Sequence, residues 1–158
     1  MNLISSQTNS LNGKVVCPGD KSISQRILIL GSLLNCNTSI KGFLDAYDPN
    51  STLNALNLIG SSIVKTKTRI ILNKRTQPFK KPEKDLDLGN SGTGMRLMLG
   101  LLSGLGIRAT LTGDSSLSKR PMLRVIKPLM DMGTNIKSND GKAPIRIIKS
   151  NISNDYKY

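Results

Sequence analysis

The feature that most constrains this chain is that its two halves repeat. Gly19, Gly42 and Gly60 in the first half answer to Gly92, Gly113 and Gly133 in the second, at offsets of 71 to 73 residues. Such a repeat reads as one supersecondary unit used twice, in which each copy buries its apolar face against a neighbour. In the first copy, the patterning predicts a strand at Lys14–Cys17 and a helix at Ser22–Asn35, with Ile23, Ile27, Leu30 and Leu34 at helical spacing. A strand at Thr38–Phe43 follows, then a helix at Pro49–Ile59 opened by proline and closed by Gly60. Strands at Ser62–Lys65 and Arg69–Leu72 read as a hairpin.

The second copy predicts strands at Asp85–Leu88 and Ile107–Thr112 around a helix at Ser91–Ser103. A helix at Pro121–Met132 follows, with a kink expected at Pro128, and then strands at Thr134–Lys137 and Ile145–Ile148. The fold class is thus α/β, built from two βαβαββ units. The expected organisation is an N-terminal segment (1–13), a first unit (14–75), a Pro/Lys-rich linker (76–84), a second unit (85–149) and a polar tail (150–158). Two such units leave an apolar face for a third, and the sequence stops where that third would begin.

Composition narrows the function. Hydrophobic residues make up 37% and aromatics 3%, so the core rests on Ile, Leu, Val and Met. There is no histidine, which excludes a histidine-based metal site or triad. Cys17 and Cys36 show no pairing pattern and read as reduced thiols of a cytoplasmic protein. No apolar run is long enough for a membrane helix, and Met1–Ser10 does not read as a signal peptide. A net charge of +13 favours anionic partners. The dense run of basic residues between Lys65 and Lys84 reads as a solvated face, and the shortage of aromatics argues against a platform for stacking bases.

Three strand-to-helix junctions carry candidate chemistry. Pro18-Gly19-Asp20-Lys21-Ser22-Ile23-Ser24-Gln25-Arg26 places two cations at a helix start. Free N–H groups there bind anions, whereas a cation unaccompanied by an anion is mildly unfavourable. Ser22 with Gln25 also fits a capping box that needs no ligand. Leu88-Gly89-Asn90-Ser91-Gly92-Thr93-Gly94-Met95-Arg96 is glycine-rich without matching a Walker loop or a GxGxxG. Asn90 and Thr93 can hydrogen-bond a ligand, but Asn90 or Ser91 could equally be a plain N-cap. Ser118-Lys119-Arg120-Pro121-Met122 puts Arg120 at a third helix entrance, where it could also be a solvated surface cation. Together the three loops suggest one shared anionic site at the strand ends.

These stretches resemble, in order and approximate spacing, the PG-x-KS-x-S-x-R, GN-x-GT-x-MR and TGD…RPM motifs of the EPSP synthase family, over about Lys14 to Ile148. The related UDP-N-acetylglucosamine enolpyruvyl transferases differ at the first motif. The resemblance implies the enolpyruvyl transferase fold, of which this chain would hold two of six units. It implies transfer of the enolpyruvyl group of phosphoenolpyruvate to the 5-hydroxyl of shikimate 3-phosphate, with release of phosphate and without a metal or organic cofactor, on the way to chorismate and aromatic amino acids. By it, Lys21 would touch both substrates, and Ser22 and Arg26 would hold shikimate 3-phosphate. Gly92 and Arg120 would hold phosphoenolpyruvate, with Asn90 and Thr93 shaping that loop. The acidic pair common before the family's second helix is Tyr47-Asp48 here, and Asp48 is assigned no role. The family's catalytic acid lies beyond position 158, so no catalytic residue is expected in this chain. It would need the missing C-terminal part and be inactive alone. The competing reading is a non-catalytic module binding anions or nucleic acid through its basic surface.

Overall fold

A computed structural model describes residues 3–34 and 36–152. Its elements follow the expected repeat. The first copy holds α1 (Lys21–Leu33), β1 (Thr38–Ile40), α2 (Tyr47–Leu58), β2 (Ser62–Lys65) and β3 (Ile70–Asn73). The second holds β4 (Leu86–Asp87), α3 (Gly92–Gly104), β5 (Ala109–Thr112), a short 3-10 turn (Leu117–Lys119), α4 (Leu123–Asp131), β6 (Thr134–Asn139) and β7 (Lys142–Ser150). The helices α1 and α3 are each 13 residues long and begin 71 residues apart (92 − 21). Lys21 therefore answers to Gly92, and Gly19 answers to Asn90 rather than to Gly92.

The sheets show the same kinship. The first runs in the order β1-β3-β2, all antiparallel. The second runs β4-β5-β7-β6, with β4 parallel to β5 and the rest antiparallel. Each sheet keeps one apolar face for the helices and one for solvent. In β7, Ala143, Ile145 and Ile147 are buried while Pro144 and Arg146 are exposed, the period-two alternation of a half-covered antiparallel strand. On the first sheet α1 lies close: an added Cβ at Gly31 would stand 2.9 Å from Leu72 Cδ2 of β3. The two copies share one continuous core, running from Leu28, Leu56 and Leu72 to Leu88, Met98, Leu111 and Ile145.

Several expectations are corrected. Lys14–Cys17 forms no strand, and Val15 and Val16 are 89% and 92% exposed. In the second copy β4 is held by β5, but no described strand lies on the corresponding edge of β1. An extended segment without a partner leaves its peptide groups to water and gains no ladder. The capping box does not form. Asp20 is the N-cap of α1, and its Oδ1 accepts the N–H of Ile23 at 2.7 Å. The strand after α1 stops at Ile40, and α2 begins two residues early, at Tyr47. Pro121 precedes α4 instead of opening it, and α4 continues through Pro128 to Asp131.

The helix α1 is apolar on two sides. The stripe of Ile23, Ile27, Leu30 and Leu34 does not face the core: these residues are 65%, 36%, 61% and 52% exposed. The buried face carries Ser24, Gln25, Leu28, Ile29, Gly31 and Ser32. A helix that is apolar on both sides is built to be covered on both. Here one side meets the sheet and α2, and the other, with Leu97 and Leu101 of α3, borders an open groove. None of the described helices is long and apolar enough to cross a membrane.

Candidate functional site

The site is assembled from three helix entrances. At the first, Asp20 takes the third N–H of α1, while the N–H groups of Lys21 and Ser22 precede any helical acceptor. Tight packing fixes this entrance. An added Cβ at Gly19 would fall 1.9 Å from the Gly42 carbonyl oxygen and 3.0 Å from the Leu44 nitrogen. The Leu44 N–H donates to Ser24 Oγ at 3.0 Å, tying the loop after β1 to the first turn of α1. Lys21 reaches across to Asp48 at the start of α2, with Nζ 3.1 Å from Oδ2. Half of the Lys21 side chain stays exposed, so its charge remains available.

At the second entrance, Ser91 caps α3 by accepting the Gly94 N–H at 3.0 Å. Gly89, at φ +55°, makes the left-handed turn into the loop and lies beneath the Tyr47 ring. Asn90 is not the cap. Its amide donates to Asp114 Oδ2 at 2.8 Å, and its carbonyl oxygen accepts from Arg120 Nη2. Arg120 belongs to the third entrance, after the 3-10 turn, and its Nη1 also donates to the Asn90 backbone carbonyl at 3.3 Å. The turn is held by Asp114, whose Oδ1 accepts the Leu117 N–H at 2.7 Å. That bond, with the one from Asn90, holds the Asp114 carboxyl below its ordinary value.

Gly92 lies under two guanidinium groups. A Cβ there would stand 3.2 Å from Arg120 Nη1 and 3.3 Å from Arg96 Nη1. Arg96 is itself anchored to the Pro121 carbonyl at 3.3 Å. A bare glycine facing two cations makes a surface that a small anion can approach closely. The first and second entrances are joined by Gln25, which is fully buried. Its Nε2 lies 2.7 Å from Ser91 Oγ, 3.0 Å from Thr52 Oγ1 and 3.3 Å from the Asp48 carbonyl oxygen.

The structure thus brings together Lys21, Asn90, Gly92 and Arg120, through Asp48, Gln25 and Ser91. Arg26 stands apart. It lies with Ser22 on another flank of α1, where its Nη1 donates to the Ser22 carbonyl at 3.1 Å and its side chain borders the α1/α3 groove. Thr93 is half-buried in the first turn of α3. Sequence reasoning missed Gln25, Asp48 and Arg96. Gln25 was visible only as half of a capping box, and Asp48 only as a remnant of an acidic pair.

The profile of the family described as EPSP synthase (3-phosphoshikimate 1-carboxyvinyltransferase) matches residues 5–155. This chain belongs to the EPSP synthase family. It is 50% identical over 141 residues to the 3-phosphoshikimate 1-carboxyvinyltransferase of Ruthia magnifica subsp. Calyptogena magnifica, covering 89% of this chain and 32% of that protein. The corresponding protein of Petrotoga mobilis is 46% identical over 145 residues, covering 89% and 34%. The EPSP synthase of Acinetobacter baumannii superposes with a TM-score of 0.78 at 40% identity, covering 85% of this chain and 31% of that one. The enolpyruvyl transferase fold expected from the sequence is therefore shown. This family member spans about a third of the length of the curated relatives it matches.

Proposed function

We propose that this chain supplies part of the substrate site of an enzyme that transfers the enolpyruvyl group of phosphoenolpyruvate to the 5-hydroxyl of shikimate 3-phosphate. The observation that carries this reading is the meeting of the Lys21 entrance with the Gly92 loop beneath Arg120, inside a family member. Both substrates are anions, and two cationic helix entrances at a fixed separation can hold them side by side. Orientation of this kind turns a bimolecular encounter into an effectively unimolecular one.

In this reading Lys21, Ser22 and Arg26 hold shikimate 3-phosphate. Lys21, Gly92 and Arg120 hold phosphoenolpyruvate. Asn90 keeps Arg120 in place, and Thr93 lines the same turn. Asp48 pairs with the Lys21 ammonium and holds it beside a helix entrance whose own dipole would repel it. No side chain of this chain is assigned the proton transfers, so the 158 residues alone bind without turnover.

Gly92→Ala in the full-length enzyme carrying this segment tests the assignment of loops to substrates. The new methyl group meets the flexible ends of Arg120 and Arg96, so the fold survives while the cradle narrows. Phosphoenolpyruvate should weaken and shikimate 3-phosphate should change least. Arg26→Ala should show the opposite bias, since it removes a charge-assisted contact. Equal weakening of both ligands by Gly92→Ala would reject the assignment. Phosphate release by the pure 158-residue chain, given both substrates, would reject its inactivity.

A further inference from the structure

We infer that Gln25 is a positioning residue that sets the separation of the two anion-binding loops, so that the Gly92 loop is in register with an anion held at Lys21. The inference rests on the proposed reading of those loops and names a residue which that reading leaves unused.

Gln25 is a buried amide in a position that an apolar side chain could fill. It is 0% exposed and lies in the second turn of α1, among Leu28, Ile29 and the α2 and α3 entrances. Burying an amide is costly unless its hydrogen bonds are met, and its Oε1 has no partner among the described residues, so Nε2 alone ties the amide to its surroundings. The bonds it does make are therefore specific. Nε2 carries two protons and faces three oxygens on two elements, two in the first turns of α2 and one at the cap of α3. One is the backbone carbonyl of Asp48, the residue whose carboxylate pairs with Lys21. Another is Ser91 Oγ, in the residue directly before Gly92, and at 2.7 Å it is the shortest of the three. The third, Thr52 Oγ1, itself donates to the Asp48 carbonyl at 3.2 Å.

Room for the amide is left by Gly94. A Cβ there would lie 2.7 Å from Ser91 Oγ, 2.9 Å from Thr52 Oγ1 and 3.0 Å from Gln25 Nε2. Ser91 Oγ also accepts the Gly94 N–H, so the atom that caps α3 is the atom Gln25 holds. A shift of α1 is thus passed to the start of α3 through two hydrogen bonds in a row, in a packed interior that does not deform freely.

The test uses the full-length enzyme carrying this segment. Gln25→Met keeps length and volume while removing both polar atoms. Expected is a rise of about tenfold or more in the KM for phosphoenolpyruvate, about 1.4 kcal/mol, with shikimate 3-phosphate affinity within about threefold of the parent. Thr52→Val removes another bond of the same amide away from Gly92. It should lower the melting temperature yet leave the phosphoenolpyruvate KM within about threefold. Ser91→Ala should raise that KM alone and add little in the Gln25→Met background, as expected for two ends of one interaction. If Gln25→Met does not fold, the asymmetry between the two ligands in Ser91→Ala decides the matter. Equal loss of both ligands, or a lower melting temperature with unchanged KM values, overturns the inference. If the parent enzyme bound neither ligand, the proposed function itself would fail. If it binds both and the variants show no asymmetry, only the role of Gln25 falls.

Discussion

Arg120 holds Asn90 by both of its carbonyl groups, the backbone oxygen at 3.3 Å through Nη1 and the side-chain oxygen through Nη2. The same Asn90 passes its amide protons on to Asp114. A planar fork with fixed donors can make this grip, and a lysine ammonium cannot. On the proposed reading of the two loops, and in a full-length family enzyme carrying this segment, Arg120→Lys should therefore keep the charge but loosen the Gly92 loop. Phosphoenolpyruvate affinity is expected to fall about tenfold, and shikimate 3-phosphate affinity to stay within about twofold. Isothermal titration with each ligand checks this, and an unchanged phosphoenolpyruvate affinity would refute it.

Two glycines should respond oppositely to alanine. At Gly19 the added methyl would meet backbone, the Gly42 carbonyl oxygen at 1.9 Å, and nothing flexible can yield. A loss of about 3 kcal/mol is expected. At Gly100, inside α3, nothing lies within 4 Å of the added Cβ. Alanine there should stabilise by about 0.5–1 kcal/mol through reduced freedom of the unfolded chain. Urea denaturation of both variants reads the two signs.

Acid should weaken the chain through two exposed carboxylates. The Leu117 N–H and then the Asn90 amide hold Asp114 below its ordinary value of 3.8. The Lys65 ammonium and then the Asn50 amide do the same for Asp45. Because folding depresses these values, the stabilisation is complete above the unfolded value, about 3.9, and disappears as pH falls through the lower folded one. Stability measured by urea titration should begin to fall as pH drops through about 4 and continue falling below it. Asp114→Asn should flatten part of that slope and converge with the parent at strongly acid pH. An unchanged slope would mean that the carboxylate contributes nothing.

The open α1/α3 groove should make the 158-residue chain bind apolar dyes. Leu30 and Leu33 of α1 are 61% and 42% exposed, and Leu97, Leu101 and Leu105 continue the surface across α3. Leu30→Glu should cut dye fluorescence severalfold, while its cost to stability stays within about 0.5 kcal/mol, since the side chain is 61% exposed. A large destabilisation would show that this face is covered in solution.

What the sequence determined by itself is local or periodic. The helical runs of α1 and α3, the β2/β3 hairpin and the glycine punctuation of two equivalent copies follow from patterns a few residues long. The cations at helix entrances were legible for the same reason: a strand-to-helix junction with lysine or arginine is a local signal. The motif spacing carried the family. Tertiary structure alone decided which face of α1 is inside, because Ile23 and Leu30 satisfy the same periodicity as Leu28 and Ile29, and only the neighbouring sheet breaks the tie. It alone denied Lys14–Cys17 a strand, since a ladder needs a partner that no run of valines provides. Above all it decided the joining of the site. Gln25 and Ser91 are 66 residues apart, and a hydrogen bond over that separation exists only once both copies have packed onto one core.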